Sequence, residues 1–266
     1  MLITKMHSYG NDYCILLYDD KTDYKKLSKK ICDRILGIGA LGLIVIKLKP
    51  ELEMLLYDDL GNRKAMDLNA LLCFSKYIFD NKLIRKNNFN VIFSNAIYNI
   101  EKENSEFILN MGAPNYNNAM LHINDSIDSF GRVLKIDDAN ITFYSLYLGD
   151  IHTIIIVDDF NLDVINKKDL IINNKLFEAK TNLHYVKIID KNNIELNSFD
   201  KNCNYLLSSV GGAAAALIVL NKLRLVYKNI TVNFKYGNIK AEIKKDKIYV
   251  KGNALKIFEC EFKEEI

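Results

Sequence analysis

Tyr9-Gly-Asn-Asp-Tyr-Cys-Ile-Leu-Leu-Tyr-Asp-Asp20 and Leu148-Gly-Asp-Ile-His-Thr-Ile-Ile-Ile-Val-Asp-Asp159 follow one pattern. Each has a glycine turn, a short polar step, an apolar run suited to a strand, and a closing Asp-Asp. The two lie 139 residues apart. A second pair keeps nearly the same offset. Asp67-Leu-Asn-Ala-Leu-Leu-Cys-Phe-Ser-Lys-Tyr-Ile-Phe79 and Ser209-Val-Gly-Gly-Ala-Ala-Ala-Ala-Leu-Ile-Val-Leu220 stand 142 residues apart. Each begins on a residue suited to a helix N-cap and runs into an apolar helix. Two matches in register point to a duplicated unit occupying about half the chain.

Outward from these anchors the chain reads mostly as strand. Short β-branched or aromatic runs bounded by turn residues cover 15–18, 43–48, 52–57 and 90–93 in the first half. In the second half they cover 141–148, 153–157, 183–189, 230–234, 239–243 and 247–251. Helical patterning covers 25–36 and 162–173. The helix beginning after Ser209 is apolar on every side as far as Asn221, which predicts that it is buried. The expected fold is therefore α+β, with two pseudo-symmetric lobes, each a curved and mostly antiparallel sheet around a central helix. A helix start also leaves backbone N–H groups that favour an anion. Both helix starts are expected to point into one cleft and to take a substrate carboxylate between them.

Composition excludes several classes. The chain has 266 residues, 49% of them hydrophobic, with a net charge of +3. Lysines and acidic residues are interleaved, not blocked, which argues against nucleic acid as a partner. The longest apolar run, Val210 to Leu220, is too short to span a bilayer, and the first residues are too polar for a secretory leader. A cytoplasmic protein with no membrane partner is expected. Five widely spaced cysteines (Cys14, Cys32, Cys73, Cys203, Cys260) form no C-x-x-C pair, so neither a disulfide framework nor a zinc site is expected. Gly37-Ile-Gly-Ala-Leu-Gly42 fits a dinucleotide fingerprint in letters only: helix, glycines and strand come in the wrong order, so the reading is a structural turn.

A set of motifs, in order along nearly the whole chain, resembles the diaminopimelate epimerase family. Thr4-Lys-Met-His-Ser-Tyr-Gly-Asn-Asp-Tyr13 resembles T-K-M-H-G-x-G-N-D-F. Cys32-Asp-Arg-Ile-Leu-Gly-Ile-Gly-Ala-Leu-Gly42 resembles C-D-R-x-x-G-I-G-A-D-G, and Ala65-Met-Asp-Leu-Asn-Ala-Leu-Leu-Cys-Phe74 resembles A-x-M-C-G-N-G-x-R-C-F. Asn110-Met-Gly-Ala-Pro114, Gly149-Asp-Ile-His152, Thr181-Asn-Leu183 and Lys251-Gly-Asn-Ala254 resemble D-M-G-x-P, G-N-P-H, T-N-V and T-G-P-A. The resemblance implies two lobes, here 1–117 with 255–266 returning to it, and 118–254. It also implies an amino-acid epimerase that uses neither pyridoxal phosphate nor metal. One cysteine removes the α-proton and a second, on the opposite face, returns one.

Both thiol positions are substituted. The first falls at Asp67 and the second at Ser209, while Cys73 matches a later, non-catalytic cysteine. A thiol suits both roles because its pKa can be drawn toward neutrality; a serine needs an adjacent base, and aspartate is an ordinary weak base. The resemblance further implies a substrate shell of Asn11, Asn69, His152, Asn182, Asp200 and Lys201, with backbone N–H groups at Val210 and Gly211. Lys201 replaces an arginine, Tyr205 the acid of G-E-T, Asp58 and Leu60 the asparagine and aspartate of N-x-D-G, and Leu41 the aspartate of G-A-D-G. The expected function is an epimerase- or racemase-like protein of amino-acid, specifically lysine, biosynthesis with two-thiol catalysis lost. In one form Asp67 would act alone, as acidic residues do in related isomerases of the phenazine-biosynthesis type. The alternative is an inactive paralogue binding an amino acid or a partner subunit. Expected partners are a small amino acid and a second copy in a homodimer, with no cofactor.

Overall fold

Strand β2 (Asn11–Leu17) is buried at every position but the last, as an uninterrupted apolar run requires when both faces of a sheet are covered. The computed structural model that places it describes residues 1–123, 129–160 and 163–263. The chain divides into two units, Met1–Leu109 with Lys251–Ile266, and Asn110–Val250.

The first unit holds β1 (Leu2–Ser8), β2, α1 (Tyr24–Cys32), β3 (Gly42–Lys47), β4 (Glu53–Asp58), α2 (Leu68–Asp80), β5 (Asn88–Phe93), β6 (Ala96–Glu103) and most of β7 (Glu106–Gly112). The last strand of the chain, β17 (Leu255–Glu261), returns to pair with β1. The strand order is β17-β1-β2-β3-β4-β5-β6-β7. Alternate residues divide the two faces. Cys14, Leu16, Leu43 and Val45 pack with Tyr24, Leu27 and Ile31 of α1, while α2 packs against β1 and β2.

The second unit contains α3 (Asn118–Leu121), β8 (Phe130–Ile136), β9 (Ala139–Tyr147), β10 (Ile151–Ile156), α4 (Asp163–Asn166), α5 (Lys168–Ile172), β11 (Asn182–Ile188), β12 (Asn193–Phe199), β13 (Tyr205–Leu206), α6 (Val210–Lys222), β14 (Asn229–Phe234), β15 (Gly237–Lys244) and most of β16 (Lys247–Gly252). Its order is β8-β9-β10-β11-β12-β14-β15, with β13 also pairing to β12. Helix α6 packs against β10, β11, β12 and β15.

The duplication is visible in the pairing senses. From β1 to β6 the ladder runs antiparallel, parallel, antiparallel, parallel, antiparallel. From β9 to β15 the same senses recur in the same order. Even the loops before the central helices match. Asp58 Oδ1 accepts from the N–H groups of Leu60 and Asn62, and Asp200 Oδ1 from those of Asn202 and Asn204. Gly61 and Cys203, at equivalent places, both take positive φ, +82° and +66°.

Two helical expectations are corrected. The pattern over 25–36 ends at Cys32, because the Asp33 carboxylate accepts from the N–H groups of Ile35 and Leu36 and turns the chain. The apolar Ile35 and Leu36 are consequently 90% and 88% exposed. The pattern over 162–173 forms α4 and α5, separated at Lys167, whose φ and ψ of −88° and 8° leave the helical well; Leu162 lies outside the described residues. The strands β1, β6, β7, β8, β12, β13 and β17 were not anticipated. Those that are exposed on one or both faces lack a clean apolar alternation, as in β6 and β17.

Candidate functional site

In the first unit the central helix begins at Asp67. This residue has extended backbone angles, and its Oδ1 accepts from the Ala70 N–H at 3.1 Å. Its Oδ2 accepts from the Tyr13 hydroxyl at 2.9 Å and from Lys64 Nζ at 3.2 Å. A carboxylate offers roughly four acceptor positions, so three of Asp67's are engaged within the protein. Tyr13, rooted in β2, is 1% exposed, and burial followed by the Asp67 charge pushes its phenol well above the usual range. Cys73, one turn and a half into α2, is fully buried, and its thiol is likewise pushed far up by burial.

Around this helix start, Asn69 is buried and donates from Nδ2 to the Ser8 carbonyl at 3.3 Å. Asn11 is buried at the start of β2. Its neighbour Asp12 is held by Arg34 through two contacts of 2.7 and 3.2 Å and by Lys5 at 3.1 Å. Burial opposes its ionisation, but these cations outweigh burial and bring its carboxyl below the ordinary value. Leu41 meets this group through its backbone, donating to Asp12 Oδ1 at 3.2 Å.

In the second unit α6 begins at Ser209, whose Oγ accepts from the Gly212 N–H at 3.0 Å. Val210 and Gly211 form the buried first turn. The glycine at 212 has a steric reason: a Cβ there would stand 2.4 Å from Cε1 of His184. That imidazole is fully buried against the helix start. Its Nε2 is 2.9 Å from Nδ1 of His152, and its Nδ1 is 2.9 Å from Ser198 Oγ. Burial depresses both histidines, His152 to about 4 and His184 well below its ordinary value, so both rings are neutral at pH 7.

Beside His152, Asp150 Oδ1 pairs with Lys201 at 2.5 Å, and Asn182 Nδ2 donates to Asp150 Oδ2 at 2.9 Å. Burial would raise the Asp150 carboxyl, but His152 and Lys201 more than offset it. His152, Asn182 and Lys201 therefore share one cluster. Asp200 does not join it: its two oxygens accept from Asn202 and Asn204 and close its own turn. Among the described residues, no group of three or more His, Cys, Asp or Glu is placed to hold a metal ion. Among the described residues, no helix is long and apolar enough to cross a membrane.

Five participants have no role assigned from the sequence: Tyr13, Lys64, Asp150, Ser198 and His184, the last of which carries no sequence signal. The repeat carried a signal for one of them, because it aligns Tyr13 with His152.

No family model matches the chain. It is similar to the curated diaminopimelate epimerase of Alkaliphilus metalliredigens, 29% identical over 263 residues that cover 94% of this chain and 93% of the relative. It is 28% identical to that of Caldanaerobacter subterraneus over 273 residues, covering 98% and 99% of the two chains. The chain is a relative of the diaminopimelate epimerases. Solved structures share the diaminopimelate epimerase-like fold at much lower identity. A phenazine biosynthesis protein of the PhzF family from Bacillus anthracis matches with a TM-score of 0.71 at 12% identity, over 99% of both chains. A probable proline racemase from Agrobacterium radiobacter matches with a TM-score of 0.74 at 8% identity, over 99% of this chain and 93% of the other. In this diaminopimelate epimerase relative Asp67 and Ser209, the two positions where the sequence resemblance places a thiol, are each the N-cap of their unit's central helix.

Proposed function

We propose that this chain is an amino-acid epimerase- or racemase-like protein that binds a small amino acid through its carboxylate and has lost two-thiol inversion. One observation carries the reading. Asp67 and Ser209 both turn an oxygen back onto their own helix, and Asp67 is further engaged by Tyr13 and Lys64. A group that removes an α-proton must aim a lone pair at the substrate. A capping oxygen is aimed elsewhere. Anion binding is a different matter, because a side-chain cap satisfies only part of what a helix start offers. Diaminopimelate is the first ligand to test, since the curated relatives carry its name, and it would place the chain in lysine biosynthesis.

The test is a titration of the full chain with LL- and meso-diaminopimelate and a panel of amino acids, followed by backbone amide shifts. The reading predicts that at least one amino acid shifts the Leu68 or Gly211 amide, and that the matching amine without a carboxylate does not. An unchanged spectrum across the panel would overturn it.

A further inference from the structure

Ser198, His184 and His152 form a row of three buried side chains, 1%, 0% and 5% exposed, joined by two contacts of 2.9 Å. A neutral imidazole has one donor nitrogen and one acceptor nitrogen, so the row has a direction. In one direction Ser198 donates its O–H to His184 Nδ1, His184 Nε2–H donates to His152 Nδ1, and His152 carries its proton on Nε2. In the other, His152 Nδ1–H donates to His184 Nε2, His184 Nδ1–H donates to Ser198 Oγ, and His152 Nε2 is a bare acceptor.

Ser198 decides between them. Among the described residues its hydroxyl has no hydrogen-bond partner besides His184. In the second direction the open donor would be the Ser198 hydroxyl, 1% exposed, whereas in the first it is Nε2–H at the less buried His152, 5% exposed, so the desolvation penalty favours the first direction. The neutrality of both rings removes the third option, an imidazolium. We propose that Ser198 and His184 are positioning residues that fix His152 in the neutral Nε2–H tautomer, so that the second unit offers an anionic ligand group a hydrogen-bond donor instead of a base. Among the described residues His152 Nε2 has no protein partner, which leaves that donor for a ligand. The ligand part of this inference rests on the amino-acid-binding reading above; its natural recipient is the ligand's carboxylate. A base at this position would need the bare nitrogen that Ser198 disfavours.

The test uses full-length protein with 15N-labelled histidine and no ligand, read by multiple-bond proton–nitrogen correlations at pH 7. Wild type is expected to show His152 and His184 as neutral Nε2–H tautomers. Ser198→Ala removes the group that sets the direction. It is expected to turn His152, a ring Ser198 does not touch, into a mixture of tautomers, while Ser198→Thr restores the single form. With diaminopimelate as the probe, Ser198→Ala is expected to bind several-fold more weakly than wild type. A wild-type His152 carrying its proton on Nδ1, or on both nitrogens, overturns the inference without reference to any ligand, and that measurement stands even if Ser198→Ala does not fold. Correct tautomers together with no response to any amino acid would instead sink the functional reading, so the two failures are distinguishable.

Discussion

Asp67 gathers a helix N–H, a buried phenol and an ammonium on one carboxylate, so its removal has consequences beyond a lost cap. Asp67→Ala loses the cap, worth about 1 kcal/mol, and strands the Tyr13 hydroxyl, worth roughly 1–3 kcal/mol. The exposed part of the Lys64 pair adds little. A loss of about 2–4 kcal/mol in urea unfolding is expected, with Asp67→Asn costing clearly less because it keeps an acceptor. An Asp67→Ala protein as stable as wild type would contradict the capping account. The cysteines give a second prediction. Burial pushes Cys14 up to about 12 and also raises Cys32 and Cys73. Alkylation of the native protein should therefore spare those three, with any adducts confined to the half-exposed Cys203 and Cys260. Peptide mass mapping would show this, and rapid native labelling of Cys73 would contradict it. At this scale the caps were legible, because Asp and Ser standing before an apolar run have a local meaning. His184 was not, because its partners Ser198, His152 and Gly212 come from three other elements.

Helix α6 illustrates how tertiary packing reverses a local preference. Glycine to alanine inside a helix ordinarily gains about 1 kcal/mol. At Gly212 the added Cβ would sit 2.4 Å from His184 Cε1 and 2.5 Å from its Nδ1, in a ring held by Ser198 and His152. Gly212→Ala is therefore expected to lose roughly 1–3 kcal/mol, as overpacked cores do; a stabilised variant in urea unfolding would show that the ring is free to move away. The central helices and the buried strands could be read from sequence because their apolar runs are long and continuous. The end of α1 could not, because the apolar Ile35 and Leu36 extend the helical pattern past the point where Asp33 turns the chain. Edge strand β17 was hidden for the complementary reason: it exposes Leu255, Ile257 and Phe258 and so shows no buried alternation.

Across the whole molecule, one ladder of pairing senses is used twice, but the two units have different chemistry: a carboxylate, phenol and ammonium in the first, and two neutral imidazoles in the second. The second unit should make stability sensitive to mild acid. Both histidines have folded pKa values below the ordinary 6.5, so the unfolded chain binds more protons once the pH falls below 6.5. Their contribution is fully present above pH 6.5 and is lost progressively as the pH falls, down to about 4 for His152. For His152 alone the loss is on the order of 3 kcal/mol. The lowered carboxyls of Asp12 and Asp150 act only below their ordinary value of 3.8, so they do not explain a decline that begins near neutrality. Urea unfolding at pH 7.5 and 4.5 should show this decline, with a shallower slope in His184→Asn; equal stability at both pH values would contradict it. The central claim, that this family scaffold no longer inverts an α-carbon with paired thiols, is tested most directly by incubating the wild-type chain with LL-diaminopimelate in deuterated water and following both α-deuterium uptake and formation of the meso isomer. The account predicts neither above background. Meso isomer forming with α-deuterium at a rate comparable to an ordinary two-cysteine family member would contradict it, and would make Asp67 and Ser209, or the groups around them, a competent acid/base pair.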